Sequence, residues 1–299
     1  MEKLFIETPI YASHKLKKEA GKNVFYKMEC FQPTGSFKIR GMENLCRAHI
    51  EKGAKYFISS SGGNAGYSMA FVGKKLGVKV KVVLPNSTSQ FMIEKIEQLD
   101  AEVEIFGNVW DEAHLHALEI AEKEGAVYVS PFDDPLLWQG HATMIDECAK
   151  QMIQPDKVIV SVGGGGLLCG IFLGMKRNNW KSTEIITTET IGAASFYASW
   201  KAKKVVELKK IATIATSLGA KKITSMALDL ASQFNVTPTT MDDKTAIEST
   251  YLFAKEYNIQ VEPACGAALS IPYFRPELIK ENENVLVIVC GGVNTTQFS

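Results

Sequence analysis

A lysine stands directly behind a phenylalanine in the run Gln32-Pro33-Thr34-Gly35-Ser36-Phe37-Lys38-Ile39-Arg40-Gly41. Proline, glycine and serine give this backbone turn chemistry, and the apolar neighbours can shut water away from the amine. Desolvation lowers a lysine pKa, and a neutral amine can form a Schiff base with a carbonyl compound. Taken alone, the run reads first as a surface lysine opening a helix, and two later stretches overturn that reading. A second stretch, Ser161-Val162-Gly163-Gly164-Gly165-Gly166-Leu167-Leu168, has the composition of an anion cradle. Glycine lets the backbone approach a phosphate and turn several N–H groups inward at a helix N-terminus. Charge-assisted bonds contribute about 1.5–3 kcal/mol each, so a few of them hold a phosphate firmly. A dinucleotide fingerprint fails on spacing, because Leu168 stands where the third glycine belongs, and a P-loop fails for want of a following Gly-Lys-Ser/Thr. The plain alternative is a tight turn that binds nothing.

Ser59-Ser60-Ser61-Gly62-Gly63-Asn64-Ala65-Gly66 is another strand-to-helix glycine loop, and an ordinary helix cap is its plain alternative. Cys290 ends an apolar run before Gly291-Gly292, where a thiol is either an inert core residue or a ligand contact. Glu189 lies between a predicted strand and the Gly192-Ala193 bend, a place that also suits a cap. His114 and His116 are two apart on a predicted helix and diverge, so the histidines offer no metal constellation.

These groups must be carried by elements whose periodicity alternates between strand and helix. Strands are expected over 24–29, 56–58, 78–84, 102–106, 127–129, 157–162, 184–188 and 285–289. Helices are expected over 42–52, 64–76, 89–99, 109–124, 136–152, 167–177, 195–203, 225–234 and 246–257, the last capped by Asp242 or Asp243. This cadence implies an α/β protein of two open, doubly wound parallel-sheet units. The dense turn signal Pro131-Phe132-Asp133-Asp134-Pro135 marks the boundary between them. Ligands in such folds sit beyond the carboxyl ends of strands, so the cleft between units is the expected site.

The 299 residues allow one large domain or two ordinary ones, and 46% hydrophobic with 22% charged content is that of a globular chain. Lysine plus arginine number 33, against 33 acidic residues, which gives no global pull toward nucleic acid or an anionic membrane. There is no apolar run of membrane-spanning length and no secretory signal after Met1, so no membrane partner is expected. Six scattered cysteines without a C-x-x-C pair suit reduced thiols in the cytoplasm. The glycosylation-type triplets at Asn86, Asn235 and Asn294 therefore read as chance.

The lysine run, the Ser61–Gly66 loop and the Gly163–Gly166 loop, in this order, resemble the fold-type II pyridoxal-phosphate enzymes. They look most like the serine/threonine dehydratase family, and the likeness runs from Thr8-Pro9 to Cys290-Gly291-Gly292. The resemblance implies pyridoxal 5'-phosphate held by Lys38, with Phe37 on one face of its ring and Asn64 on its ring hydroxyl. It further implies Gly163, Gly164, Gly165, Gly166 and Leu167 on the phosphate and Cys290 against the ring nitrogen. Ser61, Gly62, Gly63, Asn64 and Ala65 would take the substrate carboxylate. Glu189 and Ala193, with backbone carbonyls near Gly163 and Leu218, match a monovalent-cation site, hence potassium. The implied small unit is 32–135 and the large one is 1–31 with 136–299. The implied reaction is deamination of L-serine to pyruvate, and of L-threonine to 2-oxobutanoate, by a homodimer with a catabolic or gluconeogenic role.

Within the family, racemases carry a second acid/base serine where this chain has Gly62. Threonine and cysteine synthases usually carry Asp where it has Ile39. Neither is the favoured reading, and a catalytically silent protein that kept the scaffold is the rival from another class. The chain stops at Ser299, where similar dehydratases usually continue into a further helix. With no room after Gly292 for a regulatory domain, end-product feedback is not expected.

Overall fold

A computed structural model describes residues 2–292, so Asn294 and its triplet lie outside the described residues. A first sheet begins with β1 (Ile10–Ala12) and β2 (Asn23–Lys27), with α1 (His14–Ala20) between them. The chain leaves it through α2 (Lys38–Ile50) to build a second sheet. That sheet has β3 (Tyr56–Ser59), β4 (Lys79–Leu84), β5 (Glu102–Ile105) and β6 (Val127–Val129). Its connections are α3 (Asn64–Leu76), α4 (Gln90–Glu97) and α5 (Trp110–Glu124). Helix α6 (Pro135–Gln151) returns to the first sheet, which adds β7 (Lys157–Ser161), β8 (Glu184–Thr190), β9 (Val236–Met241) and β10 (Asn284–Ile288). Between those strands run α7 (Gly166–Arg177), α8 (Ser195–Ala202), α9 (Ser225–Ala231), α10 (Asp243–Tyr257) and α11 (Pro263–Phe274).

The six-stranded sheet has the order β1-β2-β10-β7-β8-β9 and is parallel except for β1, which pairs antiparallel with β2. The four-stranded sheet, β5-β4-β3-β6, is parallel throughout. Strand β7 is buried along its whole length, as a central strand covered on both faces must be. No helix among the described residues is long and apolar enough to cross a membrane.

Two departures from the predicted elements matter for the site. The predicted helix 42–52 begins at Lys38, so the lysine opens a helix instead of sitting in a loop. Up to Phe37 the chain is tied to the end of β10: the Phe37 N–H donates to the Cys290 carbonyl at 3.0 Å and the Gly292 N–H to the Gly35 carbonyl at 2.8 Å. Once released from that pairing, the backbone turns helical. Elements without a prediction were α1, β9 and α11, together with the short strand β1. Pro238 sits within β9, which an edge strand tolerates, and α11 is apolar nearly all round with Pro272 inside it, so neither shows a clean period. Asp242 caps α10 as expected, its Oδ1 accepting from the Thr245 N–H at 2.7 Å.

Candidate active site

Four strand ends come together beside Lys38. The end of β10 brings Cys290, β7 runs into the glycine loop, β3 into Ser61–Asn64 and β6 into Pro131-Phe132, while Glu189 lies within β8. Lys38 is half-buried and points to this space, its amine donating to the Pro131 carbonyl. Burial pushes its pKa down to about 8, against the opposing pull of Cys290 and Glu262. Phe37 is buried beside it, with the Lys38 Nζ 5.1 Å from the ring centroid. The edge of Phe37 meets His141 at 4.8 Å between centroids. That imidazole is fully buried, without a hydrogen bond to either nitrogen among the described residues. Burial, with the charges of Lys38 and Arg40, holds its pKa well below the usual value, so it is neutral.

The glycine loop has the form of an anion cradle. Among the described residues nothing accepts a hydrogen bond from the N–H groups of Gly163, Gly164, Gly165, Gly166, Leu167 or Leu168. Gly165 holds φ +92°, and a Cβ there would lie 2.8 Å from the Ala227 methyl. A Cβ on Gly164 would meet the Phe132 ring at 2.3 Å. Thus Pro131 receives the lysine amine while the next residue backs the glycine loop. The turn read as a domain boundary is the spacer between the two.

At the head of α3 the amides of Asn64 and Ala65 are likewise without an acceptor among the described residues, which suits a carboxylate. Ser61, Gly62 and Gly63 form the turn before them, the Ser61 hydroxyl receiving the Gly63 N–H at 3.4 Å. A side chain at Gly62 would point at Thr88, 2.7 Å from its methyl. Asn64 Oδ1 is buried and unpartnered among the described residues, while its Nδ2 donates to Glu262 Oε1 at 2.5 Å. The other oxygen of Glu262 accepts from the Ser217 hydroxyl. Glu262, at the N-cap of α11, is the functional residue that sequence reasoning missed. Its only signal is an acid next to Pro263 at the head of an apolar run.

The Cys290 thiol lies between the Ser161 hydroxyl, at 3.5 Å, and the Cys265 sulfur, at 3.6 Å, so a second thiol joins the predicted one. Burial, then Cys290, pushes the Cys265 thiol well up, which keeps it protonated. Glu189 is fully buried and accepts from the N–H groups of Phe196 at 2.8 Å and Tyr197 at 2.7 Å, capping α8. Burial nevertheless raises its carboxyl to about 8. Ala193 and Leu218 belong to one buried apolar cluster, and a Cβ on Gly163 would sit 3.1 Å from the Ser217 carbonyl oxygen.

A depressed amine, a loop of unpaired amides and an orphaned buried amide oxygen together fit a flat phosphate-bearing aldehyde. Comparison with known proteins agrees. A model of the family described as pyridoxal-phosphate dependent enzyme matches residues 1–291. The chain is 42% identical to the L-serine dehydratase of Dictyostelium discoideum, over 98% of this chain and 89% of that protein. It is 40% identical to the mouse (Mus musculus) L-serine dehydratase/L-threonine deaminase, over 98% and 93% respectively. The crystal structure of an L-serine ammonia-lyase from the fungus Rhizomucor miehei superposes with a TM-score of 0.93 at 33% identity, covering 98% of this chain and 96% of that one. With the two parallel sheets and the site between them, these likenesses place the chain in the family of pyridoxal-phosphate dependent enzymes, with the type II fold.

Proposed function

We propose that the protein is an L-serine ammonia-lyase that also deaminates L-threonine, releasing ammonia with pyruvate or 2-oxobutanoate. The observation that carries this is the Lys38 amine, its pKa lowered to about 8, beside strand-end loops of unpaired amides. The names of relatives aligned over nearly the whole chain support the substrate pair.

Bound pyridoxal phosphate supplies the electron sink for the pair left on the substrate α-carbon. Lys38 would hold the aldehyde and, when free, take the α-proton, for which a base with a pKa near 8 is well matched. The amides from Gly163 to Leu167 would hold the phosphate, Phe37 would lie along the ring, and Asn64 would orient the ring hydroxyl. Cys290 would face the ring nitrogen, supported by Ser161 and Cys265. Ser61, Gly62, Gly63 and the first-turn amides of Asn64 and Ala65 would bind the amino acid's carboxylate. Gly62 brings no side-chain acid or base, which leaves racemisation a minor reaction.

Potassium at Glu189, Ala193 and the carbonyls near Gly163 and Leu218 belongs to the same reading. A buried carboxyl group without a positive partner among the described residues supports it. We take residues 32–135 as the smaller unit that carries the carboxylate loop, and 1–31 with 136–299 as the larger one. The four-stranded sheet falls inside the first and the six-stranded sheet inside the second. A cytoplasmic homodimer serving amino-acid catabolism completes the proposal; six free cysteines support a reducing compartment.

The test is direct. Added pyridoxal phosphate should colour the chain, borohydride should fix it to the Lys38 peptide, and serine should then yield pyruvate. Lys38→Ala should lower kcat by roughly 10⁴-fold. Fixation without pyruvate release would make the chain a binding protein, and no fixation at Lys38 would end the reading.

A further inference from the structure

Arg40 is fully buried on α2, two residues beyond Lys38. Side chains at that spacing point away from each other, so the guanidinium works on the flank opposite the amine. It forks onto two carboxylates. Nε and Nη2 donate to Glu29 at 2.7 Å each, while Nη1 and Nη2 donate to Glu147 at 2.6 and 2.7 Å. Lys27 closes the cluster, donating to Glu147 at 2.7 Å and to the Thr8 carbonyl at 2.7 Å, and Thr8 donates to Glu29 at 2.6 Å. Burial works against the Glu29 carboxylate, yet Arg40 holds its pKa below the ordinary value.

Two cations and two anions cancel, and such a buried set is often no more stabilising than apolar side chains of the same size. What it does supply is geometry. Glu147 lies on α6, and so does Gly140, where a Cβ would sit 2.3 Å from the Arg40 carbonyl oxygen. The loop that leads into α6 carries Pro131, acceptor for the Lys38 amine, and Phe132, the backing of Gly164. We propose that Arg40 is a positioning residue for Lys38: the Glu29–Arg40–Glu147 cluster locks the first turn of α2 to α6, and thereby fixes where the amine stands relative to the glycine loop. The inference rests on the function proposed above for Lys38, but its readout does not need turnover.

The measurement is competitive acetylation of Lys38 in the cofactor-free chain as a function of pH, read by peptide mass spectrometry. The titratable groups that face this amine are Cys290, Glu262 and His141, and none is substituted in the variants. Arg40→Met alone leaves two buried carboxylates unpaired and risks unfolding. The informative protein therefore combines Lys27→Met, Glu29→Gln, Arg40→Met and Glu147→Gln. It is expected to melt within about 5 °C of the wild type. Its Lys38 midpoint should rise from about 8 toward the ordinary 10.5 as water reaches the amine. Its kcat should fall about 100-fold with KM little changed. Arg40→Lys keeps the charge but loses the fork, and decides the matter if the combined variant does not fold; an upward shift there is expected too. A wild-type midpoint in a folded variant overturns the proposal. A wild type that labels near pH 8 yet releases no pyruvate overturns the function and leaves the positioning role standing.

Discussion

At Lys38, burial pushes the pKa down while Cys290 and Glu262 pull it up. Glu262 therefore sets how much of the amine is a free base, and it does so from the same carboxylate that receives Asn64. Glu262→Gln keeps an acceptor for Asn64 but removes the charge. The Lys38 midpoint, followed by competitive acetylation of the cofactor-free chain, should move to lower pH by about one unit. An unchanged midpoint would show that the carboxylate does not reach the amine. Lys38, Asn64 and Cys290 stand out as candidates in the sequence because each sits in a distinctive local run. Glu262 was not, since its partner Asn64 is 198 residues away in the chain.

The loop between β7 and α7 owes its glycines to different causes. Gly164 has no room because of the Phe132 ring, whereas Gly165 has φ +92°. Gly164→Ala should weaken pyridoxal phosphate binding, and Phe132→Ala added to it should restore most of the loss. Gly165→Ala should cost about 1–2 kcal/mol of stability and gain nothing from the second change, because the strain is in its own backbone. Equilibrium unfolding and cofactor titration of the four proteins would check this, and rescue of both variants alike would refute the distinction. Where an element is bounded by its own chemistry the sequence locates it well: α3 runs from Asn64 to Leu76, as predicted, and stops at left-handed Gly77. For α11, burial on every side erased the period that a reader needs, and for β9 a mid-strand proline was tolerable only because tertiary structure made it an edge.

Across the whole molecule, Glu189 links stability to pH and, if the proposed potassium site holds, to cation. Its folded pKa of about 8 lies above its ordinary 4.5, so between those values the native chain holds a proton that the unfolded chain has lost. Stability should therefore fall as pH rises from about 4.5 to about 8, by roughly 5 kcal/mol at most. Potassium beside the ionised carboxylate should abolish the fall. Denaturant unfolding at the two pH values, in potassium against tetramethylammonium chloride, tests it, and identical curves in both salts would remove the cation from the proposal. The sequence by itself determined the α/β alternation, the lysine behind Phe37 and the two glycine loops, because strand period, turn chemistry and bare backbone amides are local properties. Only the tertiary structure decided that Lys38 begins a helix, that Pro131 and Phe132 stand between it and the Gly163–Gly166 loop, and that Glu262, Cys265 and the Arg40 cluster surround it. Those facts depend on which strand ends meet, and hence on packing between segments far apart in the chain, which no local pattern records.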